Sequence, residues 1–105
     1  MSNNPNSIDL FPAGQTGAAT SGWMACPGSG RGPSSVFVEV VGDVYGTCSV
    51  AIQSRVQQED NTGDIRTEFT ATANTGNWLD LTKNHEVRAV ITGSGGTEVN
   101  ARLTY

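Results

Sequence analysis

Residues 78–105 read WLDLTKNHEVRAVITGSGGTEVNARLTY, and the fold turns on how that stretch divides. Two runs alternate apolar and polar side chains. Val87, Ala89 and Ile91 share one side of the first; Val99, Ala101 and Leu103 share one side of the second. Alternation with a period of two is the pattern of a half-buried strand. Gly93, Ser94, Gly95 and Gly96 lie between the runs and suit a turn. The pattern predicts a hairpin. Both inward sets are odd-numbered, so facing residues sum to an even value and the loop must have an odd length. A three-residue loop closing on a glycine with positive φ meets that condition. With residues 93–95 as the loop, Glu86 faces Arg102, an opposite-charge pair. With residues 94–96, Arg88 faces Arg102, a like-charge pair, so the first register is preferred. Ahead of the hairpin, Leu79 and Leu81 face one way, and Trp78, Asp80 and Thr82 the other.

The same alternation recurs upstream. Residues 36–41 (VFVEVV) place Val36, Val38 and Val40 on one face. Residues 47–56 (TCSVAIQSRV) turn Cys48, Val50, Ile52 and Val56 inward and Ser49, Gln53 and Arg55 outward. Residues 65–73 (IRTEFTATA) set Ile65, Phe69, Ala71 and Ala73 on one side. Polar turns separate these strands: residues 42–46, 57–64 and 74–77, the last two repeating Asn-Thr-Gly. Residues 27–35 (PGSGRGPSS) read as a loop, and residues 16–26 as a weaker strand with Trp23 as an inward anchor. Six to eight short strands without a helical period make an all-β chain, an antiparallel β-sandwich or jelly-roll-like barrel.

Residues 1–15 (MSNNPNSIDLFPAGQ) stand apart as an extended N-terminal arm ahead of a single β domain at residues 16–105. The arm is polar, holds Pro5 and Pro12, and has one apolar island of Ile8, Leu10 and Phe11. Such a segment becomes ordered when something holds it, either a neighbouring subunit or its own domain.

Composition excludes several function classes. The formal net charge is −4, and the single lysine, Lys83, and five arginines are scattered along the chain, which argues against the clustered basic face that neutralising phosphates needs: no nucleic-acid partner is expected. The chain opens without a basic n-region or apolar run, and no window approaches a membrane span, so a cytoplasmic origin without membrane contact is expected. There Cys26 and Cys48 read as free thiols, and their spacing with one distant histidine is not a zinc pattern.

No motif points to catalysis. His85 sits at a turn before a strand, without an adjacent nucleophile or carboxylate pattern. Residues 60–64 (DNTGD) resemble the front of a calcium loop, but Ala71 occupies the place of the bidentate glutamate. Residues 28–32 (GSGRG) lack the Lys-Ser/Thr of a phosphate loop, leaving Arg31 as a candidate interface donor. Trp78 is a large aromatic on the polar side of its strand, fitting a ligand platform or a subunit contact. No cofactor or metal is expected.

Three segments carry a resemblance: residues 76–81 (GNWLDL), residues 86–93 (EVRAVITG) and residues 96–105 (GTEVNARLTY). Together they resemble the C-terminal half of small β proteins of tailed bacteriophages, among them head decoration (cement) proteins and β modules of tail and fibre proteins. The shared plan is a G-x-W step, a V-R-A-x-I strand, a Gly-rich hairpin and a final strand. The resemblance implies no catalytic residues. It implies a structural virion protein that forms a trimer or other homo-oligomer and clamps neighbouring copies of a major capsid protein. Candidate contacts are Ile8, Leu10, Phe11, Arg31 and Trp78. A carbohydrate-binding module of a tail or fibre is the alternative, with Trp78 or Trp23 stacking on sugar rings.

Overall fold

A computed structural model describes residues 7–25, 33–56, 64–82 and 85–104. All regular structure among them is antiparallel β: β1 (Ser7–Asp9), β2 (Gln15–Thr20), β3 (Met24–Ala25), β4 (Pro33–Val41), β5 (Ser49–Val56), β6 (Arg66–Ala71), β7 (Thr75–Thr82) and β8 (His85–Thr104). The expected all-β class holds, and the sheet curls until it is nearly a barrel.

The hairpin expected over residues 85–104 does not form. β8 is one strand of 20 residues and the spine of the molecule. Its first half lies between β5, from Ser49↔Thr92 to Val56↔His85, and β2 with β3, where Ala19 faces Ile91 and Met24 faces Val87. Its last residues lie between β4, from Phe37↔Thr104 to Val41↔Asn100, and β1, where Ser7 faces Thr104 and Asp9 faces Arg102. β6 extends the first group beyond β5, and β7 extends the second beyond β4. Two sheets therefore share one strand: sheet B (β2/β3–β8–β5–β6) and sheet A (β1–β8–β4–β7).

The glycines that looked like a hairpin loop instead let β8 bend from one sheet into the other. Gly93 and Gly95 have φ of 99° and 77°, and Glu98 has φ 56°. The β4–β5 turn crosses this bend: Asp43 N and Val44 N donate to Thr97 O, and Thr47 N donates to Ser94 O. A Cβ on Gly93 would lie 2.2 Å from Thr47 O, so only glycine fits both the backbone angle and the contact. Face parity survives, because Ile91 and Val99 keep the same side in a hairpin or in a continuous strand.

The core is the inward set of both sheets. Val36, Val38, Val40, Val50, Ile52, Val87, Ala89, Ile91, Val99, Ala101 and Leu103 are buried as their alternation predicts. Each buried branched side chain contributes about 1.5–3 kcal/mol. Cys48 is a buried free thiol in this core.

Further expectations change or resolve. Val56, Ile65 and Ala73, placed inward by alternation, are exposed near the ends of their strands. Of the two ways residues 7–15 could be held, by a neighbouring subunit or by their own domain, the structure shows the second: β1 pairs with the end of β8, and Leu10 and Phe11 are only 7% and 4% exposed, inside this domain's own core. The Asn100 side chain secures them, accepting from Phe11 N and donating to Phe11 O. Two of the island's three side chains are thus buried in their own domain, where their apolar surface is removed from water. Trp23 is not an inward anchor but lies against outward-facing arginines. β4 begins at Pro33, so the end of the expected loop at residues 27–35 is already strand.

Candidate functional site

The outer face of sheet A carries the most exposed aromatic side chain described. β4 and β7 pair without interruption over eight positions, setting Phe37 opposite Trp78 and Glu39 opposite Gly76. Gly76 lacks a side chain, and the Phe37 ring fills that space: a Cβ there would stand 2.4 Å from Phe37 Cζ. A cross-strand aromatic over a strand glycine is a common way to cover such a gap. Trp78 leans on Phe37 with ring centroids 5.1 Å apart and planes at 55°, yet remains 68% exposed. That combination places a large apolar surface in water on a supported, rather than loose, side chain.

Polar rows frame the aromatic pair. Beyond Phe37 the register runs to Thr104 and then Ser7, whose hydroxyls lie 3.2 Å apart. In the next row Arg102 stands between Glu39 and Asp9, and its Nε donates to Asp9 Oδ1 at 2.9 Å. The hydrogen bond to Asp9, then the charges of Asp9 and Glu39, raise the Arg102 guanidinium pKa above its ordinary value despite partial burial. Asp80, two residues beyond Trp78 on β7, is exposed on the same side.

The outer face of sheet B differs. Arg55 pairs across the ladder with Glu86, and Gln53 with Arg88. Arg55 Nε donates to Glu86 Oε1 at 2.6 Å, and Arg88 Nε donates to Gln53 Oε1 at 2.8 Å. Both guanidiniums lie against Trp23, their carbons 4.2 and 4.6 Å from its ring centroid. Cations within about 6 Å of an indole centroid are attracted by its negative face. This Trp23 cluster was not anticipated; the signal was two outward arginines on strands adjacent in the sheet.

Among the expected contact residues, the structure leaves Trp78 on the surface and takes Leu10 and Phe11 into the core. Ile8 is half-buried opposite Leu103 on the inner side of β1. Arg31 and Cys26 lie outside the described residues, as do most of the calcium-like turn and residues 1–6. Ser54 is fully buried and donates to Glu68 Oε2 at 2.5 Å. No three His, Cys, Asp or Glu side chains among the described residues gather to hold a metal. No family model, curated protein or solved structure matches this chain.

Proposed function

We propose that the chain is a non-catalytic structural protein of a virion, a decoration or cement protein bound to the major capsid protein and present there in several copies. Its contact is the outer face of sheet A around Trp78. The observation that carries this reading is the exposure of Trp78 while Phe37 and Gly76 support it. A supported, solvent-exposed indole within a polar frame has the anatomy of an interface hot spot, an apolar centre with a polar rim. With Leu10 and Phe11 buried at home, the sheet face replaces the arm as the clamp. Repetition on a lattice then multiplies an individually modest contact.

The test is occupancy. Capsids assembled without this protein are incubated with the parent chain or with Trp78→Ala, and bound copies are counted. We expect the variant to stay folded and to lose most of its occupancy. Full occupancy by Trp78→Ala would remove the sheet A face from the mechanism.

Asp80, exposed beside Trp78, favours a second reading. An aromatic ring flanked by a carboxylate and hydroxyls is also the chemistry of a sugar platform. A glycan screen distinguishes the two: binding that disappears in Trp78→Ala would make the chain a carbohydrate module.

A further inference from the structure

The described residues include four arginines, and three of them are ion-paired: Arg55 with Glu86, Arg66 with Glu68 and Arg102 with Asp9. Arg88 differs. Among the described residues it makes no ion pair, and its Nε is held by the neutral amide oxygen of Gln53. The chain has ten acidic residues against six basic ones, so acidic side chains are not scarce. Gln53 faces Arg88 directly across the ladder, where a glutamate would have neutralised it. The glutamine instead fixes the guanidinium without discharging it.

Trp23 completes the placement. Arg55 and Arg88 lie against one indole, and Glu86 pairs with Arg55, so among the described residues the Arg88 charge of this cluster is left without a counter-charge. Like charges gathered on a half-buried face repel, and a bound anion would relieve that repulsion. With Nε held by Gln53 and the guanidinium carbon 4.6 Å from the Trp23 centroid, two contacts orient the Arg88 head and leave its Nη1/Nη2 edge for a ligand. Such an edge takes a carboxylate through two parallel N–H···O bonds. The adjoining rows of the sheet, Ala51 with Val90 and Ser49 with Thr92, bear small side chains. They form a low shelf on which an extended polypeptide can lie.

We propose that Arg88, held by Gln53 and Trp23, is a receptor for a carboxylate presented by an acidic segment of another protein. This site is separate from Trp78 and stands whether or not the sheet A reading holds. The test is an NMR titration of the isotope-labelled protein, following the Arg88 Nε–H and Trp23 Nε1–H signals. The probes are the capped peptide of three glutamates and its three-glutamine counterpart, at matched ionic strength. The glutamate peptide should move both signals saturably and several-fold further than the glutamine peptide. Arg88→Lys should weaken the response several-fold and Arg88→Gln should abolish it, while Arg102→Gln, on the other sheet, should leave it intact. No response to the glutamate peptide would overturn the proposal. So would an equal response to both peptides, or a response that survives in Arg88→Gln. If Arg88→Gln does not fold, full retention of the response in Arg88→Lys overturns it in the same way. Glucuronate and inorganic phosphate form the remaining arms, and either one binding as tightly as the glutamate peptide would overturn the assignment to a protein ligand.

Discussion

Trp23 and Trp78 both lie on outer sheet faces, one on each of the two sheets that β8 joins, and the molecule treats them in opposite ways. Trp78 rests on Phe37 and presents most of its ring to water. Trp23 is half-buried against two guanidiniums, one of which is neutralised by Glu86. The difference shows how one residue type acquires two roles from its cross-strand neighbours. Against a neutral ring beside a glycine, the indole stays available to a partner. Beside arginines on the adjacent strands, it becomes the bed of a charged cluster.

The largest effect that can break this contrast is expected at Glu86. The side chains of Arg55 and Glu86 are only 15% and 9% exposed, so removing the carboxylate leaves a poorly hydrated guanidinium next to a second one. Glu86→Gln keeps the size and one acceptor and loses the charge. We expect a loss of about 2–3 kcal/mol, below the fully buried figure because Arg55 retains some water. The urea midpoint should fall with an unchanged m-value. A loss under about 1 kcal/mol would rank the pair with ordinary surface ion pairs and reduce the Trp23 cluster to an incidental one.

Trp23→Ala comes next. It removes a half-buried ring and both cation–π contacts, and should cost about 2 kcal/mol by the same measurement. Arg55 and Arg88 would keep Glu86 and Gln53, which is why the loss stays below that of a fully buried tryptophan. If Trp23→Ala leaves stability unchanged, the ring is not what positions the guanidiniums, and Gln53 alone holds Arg88.

These two clusters mark where the sequence was legible and where it was not. The inward faces at strand centres were readable from alternation: Val36, Val38 and Val40, or Val50 and Ile52, fall inside because a strand repeats every two residues, whereas the same rule put Val56 and Ile65 inside and the strand ends leave both exposed. The exposed side of Trp78 followed from the same rule, with Leu79 turned inward. β8 was misread because parity cannot distinguish a turn from a bend. Gly93 and Gly95 supply positive φ for either, and the decision belongs to β4 and β5, which flank different halves of β8 and require it to continue. Glu98 gave no warning at all, since a glutamate does not advertise a left-handed backbone. The Trp23 cluster depends on which outward arginines become neighbours across the sheet. Leu10 and Phe11 were visible as an apolar island, but the side chain that fixes them, Asn100, is near the other end of the chain.

The smallest stability effect is expected at Trp78, and it decides whether the two tryptophans differ in kind. An indole that is 68% exposed has little burial to lose, so Trp78→Ala removes mainly its tilted contact with Phe37. Aromatic pairs of this type contribute about 0.5–1.5 kcal/mol, and exposure puts this one at the lower end, under about 1 kcal/mol. Phe37 still covers Gly76 without Trp78, so β4 and β7 keep their register and the urea m-value should be unchanged. Measured beside Trp23→Ala in the same buffer, Trp78→Ala should therefore cost clearly less. A near-neutral substitution at a large, supported, exposed aromatic would mean that the residue contributes little to folding. That outcome makes any loss of capsid occupancy in the same variant a loss of contact rather than of structure. Equal costs for the two substitutions would instead make Trp78 a structural element of sheet A, and the binding surface would have to be sought elsewhere on the sheet.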